Sequence, residues 1–88
     1  MKGAIMFVVY TIRNNKSGMS YYGSTQEFDK RWQRHQRELA RAEHHNPGLQ
    51  SDWTKRKGRG FTVRILQECK TRKEAYDVEL DYILRALS

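Results

Sequence analysis

Cysteine occurs once in these 88 residues, at Cys69. One thiol cannot close an internal disulfide, and without a Cys-x-x-Cys spacing there is no cysteine framework for structural zinc. A reducing, intracellular and cytoplasmic setting fits best. Long apolar runs are missing too: no stretch approaches the length of a membrane-spanning helix, and Met1-Lys2 opens onto a strand-like segment rather than a signal-like one. No linker, repeat or low-complexity segment breaks the chain, so residues 1–88 are expected to form a single domain with a modest core. Acidic residues are the third shortage. Ten Asp and Glu stand against 17 Lys and Arg, a formal net charge of +7, which favours a polyanionic partner through phosphate neutralisation and counterion release. Nucleic acid, DNA above all, is the leading partner; an anionic membrane surface is the rival.

What is present divides into six elements. Ala4 to Ile12 is rich in β-branched and aromatic residues, Arg13-Asn14-Asn15-Lys16-Ser17-Gly18 supplies turn chemistry, and Met19 to Tyr22 can return as a second strand. A register centred between Asn15 and Lys16 would set Tyr10 opposite Tyr21, with both side chains on one face. Ser24-Thr25-Gln26-Glu27 matches a capping box and predicts a helix from about Thr25 to Glu43. On it Phe28, Trp32, His35 and Leu39 share one stripe, with Arg31 at the edge one turn before His35. Asn46-Pro47 reads as an N-cap followed by proline at the first helical position, and Gly58 as a stop; this short helix should bury Leu49 and Trp53. Phe61, Val63 and Ile65 alternate as a third strand, and Thr71-Arg72-Lys73-Glu74 opens a last helix reaching about Leu87. The fold class is therefore α/β (α+β): a small three-stranded mixed or antiparallel sheet flanked by three helices, with the hairpin, third strand and final helix expected to share one core.

The last helix carries the sharpest anomaly. Counted from Ala75, Glu79 falls with Tyr82, Ile83 and Ala86 on the inward face. A carboxylate there needs a partner. The bland partner is an arginine; the functional one is a hard cation such as Mg²⁺ or Mn²⁺, which takes oxygen ligands and keeps several waters when it acts on phosphates. Arg31 offers planar donors to two phosphate oxygens, against the ordinary alternative of pairing with Glu27 or Glu38. His35 beside it either exchanges a proton near neutral pH or serves as a hydrogen-bonded core histidine. Tyr10 and Tyr21 are strand aromatics that usually pack, yet a phenol facing a cation can position or deprotonate water. His44 and His45 either contact phosphate or do nothing specific, and with His35 and Cys69 they show no zinc spacing.

These residues fall in a known order. The chain resembles the GIY-YIG nuclease family along nearly its whole length: Val8-Val9-Tyr10 stands for the first motif, Tyr21-Tyr22-Gly23 for the second, and the helix from Phe28 to His35 for the motif whose arginine and histidine fall on Arg31 and His35. Asn46, Leu49 to Trp53 and Phe61 resemble the middle segment, and Glu79 matches the metal-binding glutamate. Val8 stands where glycine is usual and Tyr22 where isoleucine is usual. The resemblance implies a three-stranded sheet flanked by helices and hydrolysis of nucleic-acid phosphodiester bonds with one divalent metal, Mg²⁺ or Mn²⁺, held by Glu79. It also implies that Tyr10, Tyr21, Arg31, His35 and Glu79 line the site, Tyr10 nearest the attacking water. An asparagine that many members carry later has no counterpart after Glu79. With no recognition module in view, sequence specificity is expected to be low or supplied by a separate protein, and double-strand cleavage would need two visits or a homodimer. A non-catalytic nucleic-acid-binding module on the same scaffold, and a protein-interaction domain with a basic surface, are the competing classes.

Overall fold

Val9, Tyr10, Thr11 and Ile12 are all buried, although successive strand residues point to opposite faces. A strand with this property must be covered on both sides. The computed structural model describes residues 6–87, in the order β1 (Phe7–Asn14), β2 (Ser20–Thr25), α1 (Phe28–Ala40), α2 (Pro47–Arg56), β3 (Phe61–Cys69) and α3 (Arg72–Ala86). β1 is the middle strand of a sheet ordered β2-β1-β3, and both pairings are antiparallel. The expected start of the first strand at Ala4 lies outside the described residues.

The single core expected from the sequence is in fact two. Tyr10 and Ile12 on the front face pack with Leu39 of α1 and Leu49 of α2, walled by Phe28, Trp32 and Trp53. Val9 on the back face packs with Cys69 and with Ala75 of α3. Two thin cores joined by one strand follow from the strand's alternation, because helices dock on both sides of it. β3 accommodates this with a bulge: Val9 pairs with Gln67 but Tyr10 pairs with Ile65, leaving Leu66 as the extra residue. Leu66 joins the back core, whereas Ile65, expected in the core, is exposed. Ala86, expected on the inward face of the last helix, is exposed as well.

Local chemistry sets the boundaries. Asn14 turns the hairpin: its Oδ1 accepts from Lys16 N–H at 3.0 Å and Ser17 N–H at 3.4 Å, and Gly18 closes the loop at φ +81°. The register is displaced by two residues from the sequence expectation, so Tyr10 faces Gly23 and Ile12 faces Tyr21. A two-residue shift preserves side-chain parity, and Tyr10 and Tyr21 remain on one face. Asn46 caps α2 by accepting Leu49 N–H at 3.1 Å, and the helix ends in left-handed Lys57 followed by Gly58. Thr71 caps α3 through Glu74 N–H at 3.0 Å. The first capping box does not form. β2 runs on to Thr25, α1 begins at Phe28, and its N-cap Glu27 makes no side-chain cap bond. Sheet pairing has taken Ser24 and Thr25, and the helix ends at Ala40 rather than Glu43.

Gly23 is where the fold and the site meet. A Cβ built there would lie 2.5 Å from Tyr10 Oη and 2.6 Å from its Cζ, so the ring rests directly over the bare backbone. Gly23→Ala is expected to destabilise the domain by about 1–3 kcal/mol, the usual cost of overpacking. The thermal midpoint should fall by several degrees, read from circular dichroism. An unchanged midpoint would show that the ring can move aside freely.

Candidate active site

Tyr10, Tyr21, Arg31, His35 and Glu79 all line one cavity of about 260 Å³. β1 and β2 present the two tyrosines on the front face, and α1 lays Arg31 and His35 across them, one helical turn apart. Glu79 arrives from the other side. α3 lies on the back of the sheet, and its glutamate reaches the cavity at the edge strand, where Ser24 Oγ donates to Glu79 Oε1 at 2.9 Å. Ser24, which the sequence assigns to a helix cap, is thus a hydrogen-bond partner of the site acid. Among the described residues no arginine or lysine sits within ion-pair distance of Glu79, which removes the bland reading of that residue. Arg31 likewise makes no ion pair among the described residues. Glu27 pairs with Lys30 at 3.1 Å and Glu38 with Arg34 at 3.0 Å, so among the described residues neither acid pairs with Arg31, which lines the cavity.

The two tyrosines differ. Tyr21 donates its hydroxyl proton to Asp52 Oδ2 at 2.8 Å, and burial together with the Asp52 carboxylate pushes its pKa up to about 12. Tyr10 is buried, and its oxygen lies 2.7 Å from His35 Nε2. Burial raises its pKa, the Arg31 guanidinium pulls against that, and Glu79 adds to it.

Behind Tyr10 runs a chain of hydrogen bonds with a defined direction. Asn46 N–H donates to His44 Nδ1 at 3.0 Å, and a backbone amide can only donate. Neutral His44 therefore carries its proton on Nε2, which sits 2.7 Å from His35 Nδ1. His35 in turn carries its proton on Nε2 and directs it at the Tyr10 oxygen. Both histidines are held neutral. Burial, His44 and Arg31 lower the His35 pKa to about 4, and burial with the neighbouring His45 lowers that of His44. Gln50 braces the loop, accepting His44 N–H at 3.1 Å and donating to Leu39 O at 3.1 Å. From sequence His44 is indistinguishable from a surface histidine; the nearby Asn46-Pro47 helix start is its only local signal, because it fixes where the loop must end. Asp52 is invisible for the same reason, since its partner lies on another element.

Two donor sets invite a cation. Glu79 offers a half-buried carboxylate, hydrogen-bonded to the Ser24 hydroxyl and lining the same cavity as Tyr10, and oxygen donors of this kind suit a hard divalent ion. His35, Glu38 and His44 also bring ligand atoms within 4.8 Å of one another, yet they fit a metal poorly. A metal-bound histidine normally keeps a proton on its other nitrogen, and on His44 that proton would oppose the Asn46 N–H. The cluster is wired for protons.

The family model of the GIY-YIG catalytic domain matches residues 6–88. The chain belongs to the GIY-YIG family. It is 35% identical over 66 residues to intron-associated endonuclease 1 of Enterobacteria phage T4, and spans only 26% of that relative's length. Among solved structures, the catalytic domain of homing endonuclease I-TevI superposes with a TM-score of 0.83 at 29% identity, over 90% of this chain and 86% of that one. A point mutant of the catalytic domain of intron endonuclease I-TevI gives 0.71 at 31% identity, over 88% and 75%. This GIY-YIG domain keeps the family fold, with Val8 on β1 and Tyr22 on β2 at the two positions that depart from the motif pattern.

The buried histidine makes stability sensitive to pH in a definite direction. Between the ordinary 6.5 and about 4, the unfolded chain binds a proton at position 35 that the folded chain does not. Stability should therefore be complete above that window and fall as pH falls through it. Urea unfolding of the parent and of His35→Gln across the window checks this: the slope with pH should be shallower in the variant, and identical slopes would remove the assignment.

Proposed function

We propose that this domain is a divalent-metal-dependent endonuclease that hydrolyses DNA phosphodiester bonds, with Tyr10, Tyr21, Arg31, His35 and Glu79 as its site residues. The observation that carries the reading is the convergence of an unpaired guanidinium, a hydrogen-bonded phenol and a carboxylate without a cationic partner on one cavity. Glu79 would hold the metal, Mg²⁺ or Mn²⁺, with Ser24 orienting the carboxylate through Oε1. When bound, an ion of this kind stabilises charge on the phosphoryl and leaving oxygens.

The chain's own residues do the rest. Arg31 binds the scissile phosphate, where its fixed charge offsets the negative charge that grows as the bond breaks. Tyr10 takes the proton of the attacking water. Burial holds the Tyr10 pKa above its ordinary value, and the Arg31 guanidinium acts in the opposite direction, toward the phenolate, with the His35 N–H directed at the same oxygen. His35 acts as a fixed donor to Tyr10, with His44 holding its tautomer; its low pKa makes it a poor proton exchanger at neutral pH. Tyr21, tied to Asp52, retains its proton and orients water or phosphate without acting as a base. The formal charge of +7 supplies general phosphate affinity. Cutting both strands would take a homodimer or two visits. The buried thiol of Cys69 suits a reducing, intracellular compartment such as the cytoplasm.

Glu79→Ala should abolish cleavage of supercoiled plasmid with Mg²⁺ or Mn²⁺. Its melting temperature and DNA affinity should stay near those of the parent, because the side chain has one hydroxyl partner and binding rests on Lys and Arg. Full cleavage by the folded variant removes the metal-ligand assignment. A parent inert with several divalent metals and DNA forms turns the reading to a binding module. The two tyrosines should also separate: Tyr10→Phe is expected to cost roughly 10²–10⁴-fold in single-turnover rate, the usual worth of a positioned proton acceptor, and Tyr21→Phe far less. Equal losses would contradict the division of roles.

A further inference from the structure

The back face of β1 carries Phe7, Val9, Thr11 and Arg13 in alternation, and α3 covers only its first half. At the uncovered end the sheet forms a recess of about 480 Å³, larger than the 260 Å³ cavity on the front. Its floor is set by strand register: Thr11 pairs with Tyr22 on one side and Arg64 on the other, and Arg13 pairs with Ser20 and Thr62. Tyr82 and Leu66 form a wall where α3 ends its coverage.

Three features of this recess point to a ligand. Arg13 and Arg64 project from adjacent strands, and neither joins any of the ion pairs among the described residues, which engage Lys30, Arg34, Lys73 and Arg85 instead. No carboxylate lines the recess. Thr11 is 7% exposed, and its hydroxyl is the one buried side-chain polar atom among the described residues with no hydrogen-bond partner. A hydroxyl held away from water without a partner is costly, and a ligand oxygen entering between the two arginines would satisfy it. Finally, Tyr22 and Tyr82 stack with ring centroids 5.7 Å apart and planes 18° from parallel, forming an aromatic wall beside Leu66.

We propose that this recess is a second nucleic-acid site, distinct from the cavity at Glu79, that takes one nucleotide unit of a single strand. Arg13 and Arg64 hold its phosphates, and the Tyr82–Leu66 wall receives its base. Paired cations with an aromatic platform are the usual means of binding single strands without sequence preference. The volume falls within the range of a small-ligand pocket, enough for an unpaired base. The site lies on the opposite face of the sheet from the catalytic cavity and does not require that cavity to cleave anything.

Amide chemical shifts of the full chain, recorded without divalent metal so that no cleavage intervenes, provide the test. The probes are an oligothymidylate, thymidine monophosphate, inorganic phosphate and a short duplex. The oligothymidylate should shift Thr11, Arg13, Thr62 and Arg64, with thymidine monophosphate reaching the same residues more weakly. Arg13→Ala combined with Arg64→Ala should weaken oligothymidylate binding roughly tenfold or more while the single-turnover rate of plasmid cleavage at saturating protein stays parental. Shifts confined to the Glu79 cavity would overturn the proposal, as would a duplex moving the back-face residues as strongly as the single strand. Equal affinity for the monophosphate and the oligonucleotide would overturn the strand assignment, and inorganic phosphate binding as tightly as either would overturn the role of the aromatic wall. The shift map of the parent stands whether or not the double variant folds.

Discussion

The hydrogen bond of 2.7 Å between Tyr10 and His35 joins the central strand to the first helix inside the front core. Nearly every other feature of the site is a condition for it. Gly23 must lack a side chain for the Tyr10 ring to lie where it does. His44 must approach within 2.7 Å of His35, which requires the loop after α1 to be braced by Gln50 and ended by the Asn46 cap. The chain of donors begins at a backbone amide, whose direction cannot reverse, so helix α2 sets the tautomer of a histidine on α1. A polar network this deep is stable only when every member is satisfied.

The central strand divides the labour of the domain. Its even-numbered residues, Tyr10 and Ile12, build the front core and the cavity; its odd-numbered residues hold α3 through Val9 and then line the back-face recess with buried Thr11 and exposed Arg13. Glu79 crosses this division because β2 is an edge strand, and an acid on the back helix can pass its rim to meet residues on the front. That arrangement keeps the carboxylate half in solvent. Among the described residues it makes no ion pair with the cations of α1, where Lys30 pairs with Glu27 and Arg34 with Glu38 while Arg31 faces the same cavity.

Likeness to the I-TevI catalytic domain extends over most of both chains, at TM-scores of 0.83 and 0.71, whereas the phage T4 relative is far longer than the region matched. The fold is therefore that of the GIY-YIG catalytic domain.

Periodicity and caps determined the six elements, the antiparallel hairpin and two of the three helix starts, because those signals act between neighbours in the chain: Asn46 on Leu49 N–H, Thr71 on Glu74 N–H. The side chains of the cavity were legible too, as each is a chemically distinctive residue at an edge or inward position. Tertiary structure decided what depends on partners far apart in sequence. Ser24 read as a cap became a partner of Glu79, 55 residues away; one expected core became two; and the bulge at Leu66 turned Ile65 outward. The roles of His44 and Asp52 could not be read locally, since a histidine or an aspartate acquires a defined proton state only from the groups it faces. Local energies choose the elements, but burial and long-range pairing choose the partners, and partners fix the chemistry.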